Sequence, residues 1–552
     1  MLKDMEEQTS PSHIKLLCVL AIGALPGFLV WQLSEGVLQG GDIFFALGAF
    51  PLGVLLTLFF LPFPLKFRIP LWLPLLSAIV LTSLGHFRLP TPVTNDEAAY
   101  LYQAELFSSG KLTEEIVGPA CPDGASHCPT HRRQMMERKN EDGVFVRYAK
   151  YPPGVSLAIA PFNFLGIPFL AVLLASVLDI LLLAKLARRF GIVAPAWPPL
   201  LLATTPFFLL VQSSYQSEVF TLPAALLGYL CLLRLRDRDG DPRWNAIILG
   251  ASAGWIFLCR PLTGVIYGLA CLPGLLRNSK GKLAPGWKSI RNCILGGLPF
   301  LIGALVYNHL QTGEWTLSTY HAYALRFGPF YPDGAPMDVY GNGDFFSGVI
   351  RQLGRWSVGV FGILGIAALA IWGLWQSRSR DGGTAFLLGI AIPLAYAFHW
   401  YPGHWAYLGP LYCFETIGFL TLGVFVILDQ APGFWRRGLP LAATVAGITF
   451  YIHRFHISEE ISELRNAHVM AAETMEGLPS NAVILLPVNP QSAKLNLPSK
   501  PPFSPKNHVF VRELPGQRQT LSALEEMGLN GRPLYRFHLG GTREFDTITS
   551  FR

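Results

Sequence analysis

The segment LGIPFLAVLLASVLDILLLAKLA, residues 165–187, decides the fold class of this chain. Its apolar side chains are interrupted only by Asp179, Lys185 and small residues. A helix that crosses the hydrocarbon core of a bilayer needs about 20 predominantly apolar residues. We therefore predict that this segment is a transmembrane helix.

The whole chain has the composition of a membrane protein. Of its 552 residues, 51% are hydrophobic and 14% are charged, whereas soluble domains carry roughly 25% charged residues. Such a chain cannot cover itself with a polar surface, which excludes the soluble globular and the disordered classes. The net charge of +7 says little by itself, because the placement of Lys and Arg matters more than their total.

Similar apolar segments recur along the sequence, and we predict a mainly α fold, a polytopic transmembrane helical bundle with about 13 spans. The predicted spans are 14–33, 43–63, 69–88, 165–187, 192–211, 219–235, 245–258, 261–276, 292–310, 356–376, 384–400, 409–428 and 438–452. The first span lacks a small-residue cleavage site, so we expect it to be retained.

The short loops predict the orientation. Lys and Arg cluster in alternate loops, which by the positive-inside bias are cytoplasmic, as is the N-terminus. The long polar segments of the chain then lie on the outer side of the membrane. The last of them, 453–552, alternates strand-like with helix-like runs, which predicts a small periplasmic α/β domain. The predicted divisions are 1–90 (N-terminal helices), 91–164 (first outer loop), 165–452 (remaining transmembrane domain with outer loop 311–355) and 453–552 (outer domain). Absence of Asn-x-Ser/Thr sequons favours a bacterial inner membrane.

Two adjacent acids, Asp96 and Glu97, lie in TPVTNDEAAYLYQAELFSSGKL (91–112), just outside the third predicted span. Carboxylates at a membrane edge can act as general base, metal ligand or cation site. Alternatively they cap a helix, with Asn95 or Asp96 as N-cap and Glu97 at the positive end of the helix dipole. Spacing alone leaves both interpretations open.

A second outer segment, KYPPGVSLAIAPFNFLG (150–166), contains a Pro-Pro-Gly break before an apolar stretch. This pattern predicts a helix along the outer interface, with Tyr148, Lys150 and Tyr151 at headgroup level. A plain turn before a helix is the alternative interpretation.

These two segments resemble the C-type glycosyltransferase superfamily, on the branch of the protein O-mannosyltransferases and the bacterial aminoarabinose transferase. Further segments are similar to that branch in the same order, namely GASAGWIFLCRPLTGV (250–265), YNHLQTGEWTLSTY (307–320) and HWAYLGPLYCFETIGFLTLG (404–423). The resemblance implies transfer of a sugar from a polyprenyl-phosphate carrier to a lipid, polysaccharide or protein acceptor on the outer face. It implies Asp96 as catalytic base, an inverting mechanism, and no need for a cofactor or divalent metal.

Departure of a lipid phosphate calls for cationic groups. Arg260, before Pro261 at the outer end of a predicted span, is costly there unless it meets an anion or a carboxylate, although it could also snorkel to the interface. The family's late segment carries an Arg where this chain has Leu411. Arg326 and, after it, His321 are therefore further candidates for phosphate binding.

Acids in or beside predicted spans are functional candidates by default. Glu218 and Glu415 lie on the outer side, and we predict that Glu218 binds sugar hydroxyls or pairs with Arg260, although it also suits a helix start. Asp179 lies deeper, where pairing with Lys185 or another buried polar contact is expected. Substrate binding is also predicted for Tyr100, Tyr151, Tyr320 and His404.

The sequence CPDGASHCPTH (121–131) carries Cys121 and Cys128 in the first outer loop. An oxidising exterior favours a disulfide, while a Cys/His metal site with His127 and His131, or free thiols, are the alternatives.

Two other functions compete with glycosyl transfer: a transporter or flippase of a lipid-linked saccharide, and a non-catalytic subunit of an envelope assembly complex. Motifs for nucleotide or nucleic-acid binding are missing.

Overall fold

In a computed structural model, the described residues are 69–88, 94–115, 135–140, 142–276, 286–327, 356, 361, 366–378, 382–397, 411–431, 433–452, 478–479, 481–486, 509–512, 517–526, 528–529, 531–537 and 548–550. The predicted spans 14–33 and 43–63, the pair Cys121 and Cys128, and His404 lie outside the described residues.

The described chain is mainly helical. Its helices are α1 (Trp72–Arg88), α2 (Asn95–Ser108), α3 (Gly154–Phe164), α4 (Phe169–Arg189), α5 (Trp197–Thr204), α6 (Pro206–Gln212), α7 (Ser217–Asp237), α8 (Pro242–Cys259), α9 (Pro261–Leu275), α10 (Trp287–Thr312), α11 (Thr319–Phe327), α12 (Ile366–Gln376), α13 (Gly382–Ala397), α14 (Thr416–Gln430), α15 (Gly433–Ile452) and α16 (Gln517–Glu526). Among the described residues, α4, α7 and α10 are long and apolar enough to cross a membrane, and the total of about 13 spans stays a prediction.

The chain divides into two compact units. The helical unit comprises Met1–Gly85, Leu170–Gly303 and Asp338–His456, and the mixed unit comprises His86–Phe169, Ala304–Met337 and Ile457–Arg552. The domain divisions expected from the sequence stay predictions.

In the helical unit, small residues let helices approach closely. A Cβ added at Gly373 of α12 would collide with the carbonyl oxygen of Gly423 on α14, and one added at Gly423 would collide with that of Ala370. Gly250 on α8 meets the backbone of Cys293 on α10 in the same way. Such small-residue contacts are typical of helices that pack within a membrane, where close van der Waals contact replaces the hydrophobic effect.

Two breaks in this unit follow from proline. The predicted span 192–211 is two short helices, α5 and α6, because a proline begins the second. Helices α8 and α9 are separated at Arg260, whose φ of −145° and ψ of 89° suit a residue before proline. Its N–H donates to the Ile256 carbonyl, and its own carbonyl accepts from the Gly264 N–H. The backbone N–H and carbonyl of Arg260 are thus both hydrogen-bonded, although α8 ends before this residue and α9 begins after it.

The mixed unit contains a three-stranded antiparallel sheet in the order β1-β3-β2. The strands are β1 (Glu114–Glu115), β2 (Met135–Lys139) and β3 (Phe145–Ala149). Glu137 lies opposite Arg147 in the register, and their side chains form a buried ion pair of 2.8 Å. Met136 and Tyr148 form a small core with Tyr323, which attaches α11 to the hairpin.

The C-terminal segment of this unit forms a second sheet. Its strands are β4 (Val483–Leu486), β5 (Val509–Arg512), β6 (Leu534–Phe537) and β7 (Ile548–Ser550), in the order β5-β4-β6-β7, with the first three parallel. Leu524 of α16 packs with Val483, Leu485 and Val511 in its core. The predicted periplasmic α/β domain and its location outside the membrane stay predictions.

Candidate functional site

A hydrogen-bonded cap fixes the start of the helix that carries the acid pair. Thr94 is the N-cap of α2, and its hydroxyl accepts the Glu97 N–H at 3.2 Å. The same hydroxyl donates to the Glu97 carboxylate at 3.4 Å. The expected N-cap, Asn95 or Asp96, is therefore wrong by one or two residues, because the Thr94 hydroxyl accepts a free N–H of the first turn. Glu97 is fully buried in this arrangement.

Asp96 lies in the first turn of α2 and interacts with two residues of the segment that follows β3. The Tyr151 hydroxyl donates to the Asp96 carboxylate, and the charge of Asp96 acts on Lys150. The ring of Tyr100 lies 4.7 Å from that of Tyr151, measured between centroids. Burial, and secondly the charge of Asp96, raise the pKa of Tyr151 well above its usual value, so its hydroxyl stays protonated and donates.

Lys150 is a buried cation enclosed by aromatic rings. Its ammonium lies 5.0 Å, 4.9 Å and 4.4 Å from the ring centroids of Tyr151, Tyr320 and Tyr323. The residue is 8% exposed, and no carboxylate among the described residues lies within ion-pair distance of it. Burial lowers the pKa of Lys150 to about 8, against the opposing effect of the Asp96 charge. Tyr148, Lys150 and Tyr151 are all buried by other side chains, and their position at headgroup level stays a prediction.

Hydrogen bonds hold the backbone around the tyrosine rings that enclose Lys150. The Lys150 carbonyl accepts from the Thr319 hydroxyl at 2.8 Å, which links the end of β3 to the start of α11. On the other side, the Ser156 hydroxyl lies 2.9 Å from the side-chain oxygen Oε1 of Gln103 and 3.0 Å from the backbone carbonyl oxygen of Tyr100, which links α3 to α2. The Gln103 amide in turn donates to the Tyr307 hydroxyl.

A second buried cation, Arg260, lies in the helical unit. One guanidinium nitrogen, Nη1, forms an ion pair with Glu218 and lies 3.5 Å from Glu415. Thr221 donates to Glu415 at 2.7 Å, and Ser217 donates to Glu218 at 3.0 Å. The structure thus realises one predicted alternative, the pairing of Glu218 with Arg260, and adds Glu415 to it. We call these three charged residues the acid-arginine cluster.

Tyrosines flank the guanidinium of Arg260. Its central carbon lies 5.2 Å and 5.4 Å from the ring centroids of Tyr396 and Tyr412, and these two rings stack on each other. The guanidinium also donates to the Tyr396 hydroxyl, which lies 2.7 Å from the Thr263 hydroxyl. The cation is held on several sides by side chains of its own unit.

The acid-arginine cluster contains two carboxylates and one guanidinium, and all three residues are buried. Glu218 lies in the first turn of α7 and Glu415 directly precedes α14, so both carboxylates lie at the positive ends of helix dipoles. One Glu415 oxygen, Oε2, has no hydrogen-bond partner within the described part of the chain. The formal charge of the cluster is negative.

The remaining candidate residues lie elsewhere or outside the described residues. His321 is exposed, and its N–H donates to the Ser318 hydroxyl at 3.1 Å. Arg326 lies in the last turn of α11. Asp179 does not pair with Lys185, which is exposed, but accepts from the Gln212 amide at 2.8 Å. No group of three His, Cys, Asp or Glu residues among those described could hold a metal ion.

Lys150 is a buried cation that the sequence pattern did not identify as a site residue. The local sequence RYAKYPPG did contain an indication, because a lysine between aromatic residues can be enclosed by their rings. Two of its three ring partners, Tyr320 and Tyr323, come from a distant segment, which no local pattern reveals.

Comparison with known proteins gives a family-model match over part of the chain and a shared fold. Residues 151–306 match the family model described as dolichyl-phosphate-mannose-protein mannosyltransferase. This range includes Tyr151, Glu218 and Arg260. Comparison with curated proteins gives no match.

The fold is similar to that of ArnT from Cupriavidus metallidurans. With its crystal structure bound to undecaprenyl phosphate, the TM-score is 0.52 at 15% identity, and with its apo structure 0.52 at 13%. Each comparison covers 84% of this chain and 92% of the other. The chain therefore shares the fold of ArnT, and the family-model match over residues 151–306 agrees with the resemblance to the C-type glycosyltransferases.

Proposed function

We propose that the chain transfers a sugar from a polyprenyl-phosphate-linked donor to a cell-envelope acceptor, on the outer face of a bacterial inner membrane. Support comes from the mannosyltransferase family model and from the shared fold with ArnT, which was crystallised with undecaprenyl phosphate. The N-terminus would be cytoplasmic and the α/β domain periplasmic, as the loop charges predict.

The observation that carries this proposal is the arrangement of Asp96, Tyr151 and Lys150. A carboxylate in the first turn of a helix is combined with a buried ammonium that has no carboxylate at ion-pair distance among the described residues. Glycosyl transfer from a lipid phosphate needs both parts, a base for the acceptor and a cation for the departing phosphate.

In the proposed reaction, Asp96 accepts the proton of the acceptor hydroxyl. The acceptor oxygen attacks the anomeric carbon as the bond from that carbon to the phosphate oxygen breaks. The electron pair of the broken bond stays on the polyprenyl phosphate, and its charge is stabilised by the Lys150 ammonium. A single displacement of this kind inverts the anomeric configuration.

Lys150 takes precedence over Arg260 as the phosphate-binding cation in this proposal. A phosphate that approached Arg260 would meet Glu218 and Glu415 as well, and like charges in a buried site repel. Arg326 and His321 remain candidates for a supporting role with the phosphate. Substrate contacts stay predicted for Tyr100, Tyr151 and Tyr320 of the mixed unit and, separately, for Glu218, His404 and Glu415 of the helical unit.

Complementation of a deletion strain tests the proposal whichever sugar is transferred. Mass spectrometry would compare envelope glycolipids, polysaccharides and glycoproteins of the deletion strain carrying wild-type protein, Asp96→Asn or Asp142→Asn. Asp142 is an exposed carboxylate of the same unit and serves as the matched control. We expect one sugar modification to disappear in the deletion strain, to return with wild type and Asp142→Asn, and to stay absent with Asp96→Asn.

Two results would count against the proposal. An unchanged set of envelope glycans in the deletion strain would contradict the transferase function itself. Full restoration by Asp96→Asn would leave the function standing but refute Asp96 as base, because loss of a general base lowers the rate by roughly 10²–10⁴-fold.

A further inference from the structure

The acid-arginine cluster contains two carboxyl groups and one guanidinium, so its formal charge is negative when both carboxyl groups are ionised. Glu218 and Glu415 both contact Nη1 of Arg260, so one guanidinium serves two carboxylates. Burial of an unbalanced charge is costly, and proteins compensate it with a counter-charge, a proton or hydrogen-bond donors. The two helix N-termini compensate part of it, but they are already occupied by the carboxylates of the chain itself.

A second observation concerns the two carboxylate oxygens of Glu415. Glu415 is fully buried, and its Oε1 accepts from Thr221. Its other oxygen, Oε2, has no donor within the described part of the chain. A buried acceptor without a partner costs about 1–3 kcal/mol, so a donor from a bound molecule would be favourable there.

The cluster also contains groups typical of saccharide sites. Carboxylates accept hydrogen bonds from hydroxyl and ammonium groups, and the stacked Tyr396 and Tyr412 rings lie against the guanidinium. Glu218 lies where α7, a candidate membrane span, begins. A sugar carried by a membrane lipid is presented at the end of a span.

We propose that the acid-arginine cluster is a subsite for the sugar of the lipid-linked donor, and that it selects neutral or amino sugars against acidic ones. Hydroxyl or ammonium groups of the sugar donate to Glu415, while a sugar carboxylate is repelled by both acids. This inference rests on the proposed function, because it assumes that the donor is a sugar linked to polyprenyl phosphate. It assigns sugar selectivity to the cluster.

Binding measurements on purified full-length protein test this assignment. The probes are undecaprenyl phosphate alone and undecaprenyl phosphate linked to a hexose, a hexosamine or a hexuronic acid. We expect wild-type protein to bind the hexose and hexosamine lipids at least about tenfold more tightly than the hexuronic acid lipid, since like charges at an interface suppress wrong partners. In Glu415→Gln and Glu218→Gln, which keep the side-chain shape, this ratio should fall several-fold while the affinity for undecaprenyl phosphate alone stays unchanged.

Asp179→Asn is the matched control. Asp179 is also a fully buried carboxylate of the helical unit with one oxygen, Oδ1, that has no hydrogen-bond partner within the described residues, but it lies outside the cluster and its Oδ2 accepts from Gln212. This variant should keep the wild-type ratio. Two glutamine variants are used so that misfolding of one does not prevent the test. Each removes one carboxylate and leaves the other to pair with Arg260.

The outcomes separate the inference from the function on which it rests. Equal affinity of wild type for all three sugar lipids, or an unchanged ratio in both glutamine variants, overturns the inference and leaves the transferase function intact. A large change in affinity for undecaprenyl phosphate alone overturns it in favour of a phosphate role for the cluster. Failure of every undecaprenyl lipid to bind wild type contradicts the proposed function, and the inference falls with it.

Discussion

Lys150 and Arg260 are both buried cations, but their surroundings differ in charge. Lys150 is enclosed by three neutral tyrosine rings, whereas Arg260 contacts Glu218 and Glu415. The charge of Arg260 is paired with carboxylates of its own unit, so it contributes to the stability of that unit. The charge of Lys150 is tolerated at a cost to stability, which is expected of a group reserved for an anionic ligand.

The largest expected effect is a loss of stability when Arg260 is replaced by methionine. Arg260→Met leaves two buried carboxylates without their cation, and removal of one partner of a buried ion pair typically costs about 3–5 kcal/mol. Thermal unfolding of the purified protein in detergent measures the loss. Lys150→Met serves as the comparison and should not destabilise the protein at neutral pH. A wild-type unfolding temperature for Arg260→Met would show that the cluster does not stabilise its unit.

The free energy of unfolding is expected to depend on pH through Lys150, because burial of its charge lowers stability. Burial lowers its pKa from 10.5 to about 8, so between these pH values the unfolded chain binds more protons than the folded one. The free energy of unfolding therefore rises as the pH increases from about 8 to about 10.5, by on the order of 3 kcal/mol. Lys150→Met should lack this rise and should exceed the stability of wild type below pH 8.

Lys139→Met is the control for this pH dependence. The Lys139 ammonium also lies over a ring, 5.1 Å from the centroid of Phe145, but the residue is exposed. Unfolding temperatures of the three proteins across this pH range would give the comparison. A rise that persists in Lys150→Met would mean that another group causes it.

The smallest expected effect concerns the helix that presents Asp96. Thr94→Ala removes the N-cap of α2, which should cost about 1 kcal/mol and lower the transfer rate by displacing Asp96. The control is Asp241→Ala, which removes the side-chain cap of α8, where Asp241 accepts the Arg243 N–H at 2.8 Å. Both variants should lose similar stability, and only Thr94→Ala should lose transfer activity. Equal loss of activity in both would indicate a general effect of instability.

Local signals in the sequence identify many of the site residues, but not which of them contact one another. The acid pair before a helix and the Pro-Pro-Gly break indicate Asp96 and Tyr151, because capping and proline effects act over a few residues. Arg260 stands out because Pro261 interrupts the helix beside it. Glu415 joins Arg260 only through the packing of α14, which depends on contacts far apart in sequence.

The fold departs from expectation where local pattern and tertiary packing differ. Apolar runs identify the helices, and their bounds shift where proline divides a run, as between α5 and α6. Burial of the segment around Lys150 was not predicted, because the surrounding Tyr320 and Tyr323 lie more than a hundred residues away in the sequence. A polar or aromatic side chain at a membrane edge looks the same in sequence whether it meets headgroups or other side chains.

The affinity of Lys150→Met for undecaprenyl phosphate tests most directly the claim that Lys150 is held for the phosphate of the donor. Titration of wild type, Lys150→Met and the Lys139→Met control with this lipid gives three dissociation constants. We predict that Lys150→Met binds at least about tenfold more weakly, since a charge-assisted contact contributes about 1.5–3 kcal/mol, while Lys139→Met matches wild type. Wild-type affinity in a folded Lys150→Met would contradict the account.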